Sequence, residues 1–183
     1  CLSDCGSNKK EVAARLAIAW KPWFTFAPML TDSDTPFEIR RLCFLNIVYN
    51  ALLSGLEAFV LTDNEHDKLT CFVCSRCRAL LLGKAHTEQD GKHTSLPNSA
   101  VLRKCAILPV HLELAVRRLK WFSTIVTQPS SAGSLLAAWF GHFDFSKMPK
   151  QSLPWNVQLK QDLSCASIME GWDDASCWVD SDP

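Results

Sequence analysis

Apolar residues recur along most of this chain at spacings of three and four, which is the period of an amphipathic helix. The segment "SNKKEVAARLAIAW" is the first example. Ser7 can serve as its N-cap, and the apolar positions that follow are Val12, Leu16, Ala19 and Trp20. This pattern predicts a helix near the N-terminus.

The segment "TPFEIRRLCFLNIVYNALL" carries a stronger start signal. Thr35 can cap, Pro36 suits the first helical position, and Glu38 lies three residues after the cap, as in a capping box. The apolar run 42–61 is the most membrane-like part of the chain, but it contains Asn and Glu side chains. We therefore expect a buried helix here and no membrane partner.

A second capping box pairs Thr62 with Glu65. The helix that it opens should end near Leu82, with Gly83 as the stop signal. The polar residues from Gly83 to Asn98 are expected to form a loop, which is long for a compact domain.

Three further helices follow from the pattern, and one short segment, "SSAGSLLAAWF", adds a fourth. Asn98 should cap "NSAVLRKCAIL", Pro109 should start the helix that contains "AVRRLKWFSTIV", and a last helix should follow Pro154. Since no segment has a convincing strand pattern, the predicted fold is all-α or nearly so, a bundle of about five to seven helices. The predicted divisions are an N-terminal helix and connector at 1–34, a helical domain at 35–145 and an acidic C-terminal extension at 146–183.

The helix containing "AVRRLKWFSTIV" has one stripe that should be core and a basic face. The stripe comprises Leu112, Ala115, Leu119, Phe122 and Val126. A second flank comprises Leu114, Arg118, Trp121 and Ile125. The basic residues can snorkel at the edge of a packed helix, or they can contact phosphates.

Composition and charge narrow the possibilities. The 183 residues are 48% hydrophobic, which is enough for a real core, and their formal net charge is zero. Residues 37–122 carry 12 Lys/Arg and 8 Asp/Glu, whereas residues 151–183 carry 1 Lys and 6 Asp/Glu. Any attraction to nucleic acid must therefore come from a local basic patch in the middle of the chain.

The nine cysteines are an odd number without the spacing of a small disulfide scaffold, so we expect free thiols in a reducing, intracellular compartment, nuclear or cytoplasmic. "CFVCSRC" places Cys71, Cys74 and Cys77 three residues apart, as some metal sites do. They fall within a helical apolar pattern, which favours buried thiols over a metal site. No Gly-rich phosphate loop is present, and no cofactor is predicted.

The order of the elements resembles one protein family. "RLAIAWKPWFTFAPML", "ALLSGLEAFVLTDNEHDKLTCF", "CRALLLGK" and "NSAVLRKCAILPVHLELAVRRLKWF" together resemble the region after the palm in the reverse transcriptases of non-LTR (LINE-type) retrotransposons. The resemblance covers roughly residues 9 to 127. The matching positions are Leu53, Gly55, Glu57, Phe59, Leu69, Phe72, Cys77, Arg78, Gly83, Asn98, Val101, Leu102, Arg103, Arg117, Arg118, Leu119, Lys120 and Trp121.

The chain departs from this family in ways that bear on activity. Ser54 stands where the family usually has Tyr, and the Tyr/Phe-x-Asp-Asp motif of the polymerase is absent. Two-metal nucleotidyl transfer needs such carboxylates to hold Mg²⁺. The paired aspartates of "GWDD", at 171–174, lie downstream of the thumb-like region, so we do not expect a catalytic centre there.

The resemblance therefore implies the thumb and connection region of a reverse transcriptase without its active site. Because the chain begins at Cys1 rather than Met, we expect a fragment or processed product. Such a region would hold a template–primer duplex or hybrid weakly by its backbone, as part of a polymerase polypeptide, and would not extend a primer alone. The candidate phosphate contacts are Arg76, Arg78, Lys84, Arg117, Arg118 and Lys120. The alternatives are a helical structural or protein-interaction module and a degenerate element copy without function.

Overall fold

The computed structural model describes residues 8–89, 92–127 and 155–170. The α-helices in these ranges are α1 Lys9–Leu30, α2 Phe37–Cys43, α3 Asn50–Leu53, α4 Asp63–Leu80, α5 Asn98–Lys104, α6 Val110–Thr127 and α7 Trp155–Glu170. A π-helical segment, Phe44–Tyr49, joins α2 to α3, and a 3₁₀ turn, Leu56–Ala58, follows α3. The predicted all-α fold is confirmed, with one small β-hairpin added.

The chain divides into two compact units. The first comprises Cys1–Leu56 and Leu61–Glu113, and the second comprises Glu57–Val60 and Leu114–Pro183. In the first unit α1 packs against α2, the π-helical segment, α3 and α4, while α4 also packs against α5.

Helix α1 confirms the first predicted element and extends it. Its buried positions are Val12, Ala19, Trp23 and Leu30, which follow the spacing of one helix face. The helix continues through two prolines, Pro22 and Pro28. The predicted cap Ser7 lies outside the described residues.

The predicted cap at the start of α2 is wrong. Thr35 donates its hydroxyl to Asp32 Oδ2 at 2.9 Å, and Pro36 takes the capping position. Asp32 also accepts the Asp34 backbone N–H at 3.1 Å, which with the Thr35 hydroxyl lowers the pKa of the Asp32 carboxyl below its ordinary value. The side chains of this connection satisfy one another, so Thr35 does not serve the helix.

The capping box at the start of α4 is confirmed. The Thr62 backbone N–H donates to Glu65 Oε2 at 2.9 Å, and Glu65 is buried. The helix ends at Leu80, two residues before the predicted end, because Leu82 and Gly83 both adopt a positive φ.

The predicted loop after α4 contains a two-stranded antiparallel sheet. Strand β1, His86–Gln89, pairs with β2, Lys92–Ser95, with Gln89 opposite Lys92. The fold is thus nearly all-α, as predicted, and the expectation that Gly83 to Asn98 form only a loop is corrected by this hairpin. The signal was present in the Asp90–Gly91 dipeptide between the strands, which favours tight hairpin turns.

Helix α6 begins after Pro109, as predicted, but it buries a different stripe. Val110, Leu114 and Arg118 are almost inaccessible and lie four residues apart. The predicted core positions Leu112, Ala115, Leu119 and Phe122 are only half-buried, and the side chain of Val126 lies outside the described residues. The predicted second flank is thus the buried one at Leu114 and Arg118, although Trp121 is 39% exposed.

The last predicted helix is confirmed as α7, which begins directly after Pro154. Two other predictions lie outside the described residues: the short helix in "SSAGSLLAAWF" and the dismissal of "GWDD" as a catalytic centre.

Candidate nucleic-acid interface

Arg76, on α4, lies against aromatic rings. Its guanidinium carbon is 4.7 Å from the centroid of the Trp20 ring and 4.8 Å from that of Trp23, both on α1. The Nη2 group donates to the Ser75 hydroxyl at 3.0 Å, whereas the buried Nε has no hydrogen-bond partner. Burial lowers the pKa of Arg76, but a guanidinium remains charged at neutral pH.

Arg78 joins the end of α4 to the start of α5. Its Nη2 donates to the Leu96 carbonyl and to Asn98 Oδ1, both at 2.9 Å. The predicted capping role of Asn98 is therefore wrong, because its side-chain oxygen accepts from Arg78 and Pro97 occupies the cap position. Through these hydrogen bonds Arg78 has a structural role, which is to connect α4 to the start of α5.

Three exposed basic residues gather beyond the end of α4. Lys104, the last residue of α5, reaches back so that its Nζ donates to the Lys84 carbonyl at 3.1 Å. Arg103 precedes it on the same turn. Within the described ranges no carboxylate forms an ion pair with any of the three. We call Lys84, Arg103 and Lys104 the basic patch.

The basic residues of α6 behave differently from one another. Arg118 donates to Asp162 of α7 at 2.5 and 3.1 Å, and both side chains are at most 6% exposed. Gln158 also donates to Asp162, at 3.0 Å. Arg117 is half-buried, and Lys120 is exposed. A guanidinium enclosed with its carboxylate has no face left for phosphate, so Arg118 is no longer a candidate phosphate contact.

Two arginines that sequence reasoning left out of the site have structural roles. Arg40 donates to the Leu80 carbonyl at the end of α4, at 2.8 Å. Arg41 donates to the carbonyls of Cys105 and Ala106 just after α5, at 2.6 and 2.7 Å. The last carbonyls of a helix lack partners within the helix and carry partial negative charge, which a guanidinium satisfies.

The sequence alone identifies only Lys84 of the basic patch and does not place Arg103 or Lys104 among the candidate phosphate contacts. Lys104 stands 20 residues after Lys84, and the packing of α4 against α5 brings these two residues together, with Arg103 next to Lys104 in the chain. The pattern placed Arg103 in a short helix, but no spacing rule relates it to Lys84.

The cysteines of α4 are not alike. Cys74 and Cys77 are buried, as predicted, whereas Cys71 is exposed, contrary to the prediction. Cys105 is also buried, with its Sγ 3.8 Å from the Cys77 carbonyl oxygen. A hydrogen bond with the Cys105 thiol, together with burial, raises the pKa of Cys77. In the described part of the chain no three His, Cys, Asp or Glu side chains are placed to hold a metal ion.

Comparison with protein-family models, with curated proteins and with solved structures finds no match to the chain. Among the helices described, none is both long enough and apolar enough to cross a membrane.

Proposed function

We propose that this chain is a non-catalytic helical module that binds nucleic acid weakly through the phosphate backbone. This is the role implied by its resemblance to the thumb and connection region of a non-LTR reverse transcriptase. The partner would be a duplex or an RNA–DNA hybrid, presented by the remainder of a polymerase polypeptide. The thiols of Cys43, Cys74, Cys77 and Cys105 are free, which supports an intracellular location, nuclear or cytoplasmic.

The observation that carries this proposal is the basic patch. Lys84, Arg103 and Lys104 are exposed and form no ion pair with a carboxylate of the described residues, so their charge is available to phosphate. Lys and Arg that neutralise phosphates release counterions, which gives affinity without sequence preference. The expected dissociation constant is that of non-specific binding, on the order of 10⁻⁴–10⁻⁶ M.

The test is a titration of a labelled duplex, followed by fluorescence anisotropy at several salt concentrations. The triple variant Lys84→Gln, Arg103→Gln, Lys104→Gln should bind more weakly at low salt. Its slope of log K against log salt should be smaller by roughly 0.9 for each phosphate that the variant no longer neutralises. Circular dichroism should show an unchanged helical content.

A matched control removes the same charge elsewhere. Lys10, Lys21 and Lys68 are exposed residues of α1 and α4, and their triple Gln variant should keep the wild-type slope. Equal losses of affinity in the two triple variants would mean that binding reflects net charge alone. Equal slopes for the wild type and the patch variant would overturn the proposal.

A protein-interaction module is the second candidate. Ile39 and Leu42 are 49% and 51% exposed, and a spacing of three places them on one side of α2. A wild-type chain that binds no duplex even at low salt would favour this candidate.

A further inference from the structure

The surface of α1 carries an aromatic stack whose outer ring is largely exposed. The rings of Phe24 and Trp20 lie 5.0 Å apart between centroids, with their planes only 17° from parallel. The Trp20 ring also makes an edge-on contact with the ring of Phe72 on α4, with 5.2 Å between the centroids. Phe24 remains 66% exposed, so the face that does not touch Trp20 is open to solvent.

A cation that has no carboxylate partner among the described residues lies against the Trp20 ring of this stack and against the neighbouring Trp23 ring. Arg76 rests over the Trp20 ring and forms no ion pair with any described residue. In the described ranges its hydrogen bond is from Nη2 to the Ser75 hydroxyl, and Nε is buried, so the remaining N–H groups of Nη1 and Nη2 are the ones that a phosphate can contact. Aromatic faces stabilise the guanidinium by cation–π attraction and hold its plane in position, but they do not neutralise it.

The combination fits one class of ligand. Sites that hold single-stranded nucleic acid pair an aromatic ring, on which a base stacks, with a nearby Arg or Lys for the phosphate. An acidic peptide would use the guanidinium but would gain little from a flat, open ring. A purely apolar partner would leave the unpaired charge of Arg76 covered, which is costly.

We infer that Phe24, Trp20 and Arg76 form a platform for single-stranded nucleic acid, with an unpaired base on the open face of Phe24 and a backbone phosphate of the same strand at Arg76. This inference rests on the proposed function and extends it from duplex backbone to single strands. Base stacking on aromatic side chains is tolerant of sequence, so the platform would not select a particular base.

The test compares two ligands of equal length and charge: an oligothymidylate and an abasic oligomer with the same phosphate backbone. Wild-type protein should bind the oligothymidylate more tightly, by ~5-fold to ~100-fold for one stacked base. Phe24→Ala should abolish this preference while leaving the melting temperature nearly unchanged, because the side chain is mostly exposed. Phe24→Trp should restore the preference.

Phe26 provides the control. It is the same residue type on the same helix, is 36% exposed and stacks on no described ring. Phe26→Ala should therefore keep the preference for bases. An equal loss of preference in the two Ala variants would overturn the platform.

The outcomes separate the platform from the basic patch. Equal, salt-dependent binding of both oligomers by the wild type would overturn the platform and leave backbone binding intact. Failure to bind either oligomer or the duplex at low salt would overturn both. Arg76→Gln should weaken binding of both oligomers, since both carry phosphates.

Discussion

At the scale of single residues, the same side-chain type takes different roles according to its surroundings. Cys71 and Cys74 differ by three positions on α4, yet the first is exposed and the second is buried. Burial raises the pKa of Cys74, because a thiolate loses more solvation than a thiol does. The reactive species towards alkylating agents is the thiolate, so accessibility and pKa act in the same direction.

We therefore expect iodoacetamide to modify Cys71 of the folded protein well before Cys74 and Cys77. Peptide mapping by mass spectrometry would follow each site as the pH rises. Because the two buried thiols have raised pKa values, their modification should need higher pH than that of an ordinary thiol, or unfolding.

Protein unfolded in urea is the control, in which all three sites should react at similar rates. Modification of Cys74 as fast as Cys71 in the folded state would contradict the buried environment described for α4.

From the sequence, the burial of the three cysteines of α4 could be predicted only from their spacing within a helical pattern. That spacing correctly placed Cys74 and Cys77 in the core, but consecutive steps of three drift around the helix axis, and Cys71 emerges on the surface. Arg118 shows that local patterns cannot identify partners that are distant in the sequence. Its carboxylate partner, Asp162, is 44 residues away, and no local pattern could identify it.

At the scale of elements, two capping boxes with the same sequence form had opposite outcomes. Glu65 accepts from Thr62 and is 3% exposed, whereas Glu38 is exposed, and α2 starts at a different cap. At α2 the Thr35 side chain points back to Asp32 in the preceding connection, and no side-chain cap hydrogen bond forms at the start of the helix. The sequence form of a capping box therefore does not by itself determine which way the capping side chain points.

Glu65→Ala should lower the free energy of unfolding by about 0.5–2 kcal/mol, because the Thr62 N–H loses the acceptor that completes the capping box. Urea denaturation followed by circular dichroism would measure the change. Glu65→Gln keeps one oxygen acceptor and should cost less.

Glu38→Ala is the matched control for this prediction. It removes the same side chain from the other box, where it accepts no hydrogen bond from a described residue, and should change stability by less than about 0.5 kcal/mol. Equal losses of stability at the two glutamates would show that the box at Thr62 contributes nothing beyond helix propensity.

At the scale of the whole molecule, a buried ion pair links two helices of the second unit. Arg118 of α6 and Asp162 of α7 are 44 positions apart and enclosed together. Removing one partner leaves an uncompensated charge in a site that excludes water, which typically costs about 3–5 kcal/mol. A variant that removes Arg117, Arg118 and Lys120 together would confuse this destabilisation with any effect on phosphate binding.

Arg118→Ala should therefore lower the unfolding free energy by ~3–5 kcal/mol, measured by urea denaturation. The double variant Arg118→Met, Asp162→Leu replaces both charges with apolar groups and should recover most of that stability. Lys120→Gln, at an exposed position of the same helix, should have little effect on stability. A single variant as stable as the wild type would mean that Asp162 finds another partner.

Arg40 and Arg41 have a consequence for how the first unit fluctuates. These adjacent side chains hold carbonyls at the ends of α4 and α5, which lie far apart in the sequence. Neither helix end can release its arginine without disturbing α2, so the three segments should open and close together as one cooperative unit of local unfolding. The amide hydrogens of α2 and of the ends of α4 and α5 should then exchange with a single opening free energy, although these segments are separated in the sequence.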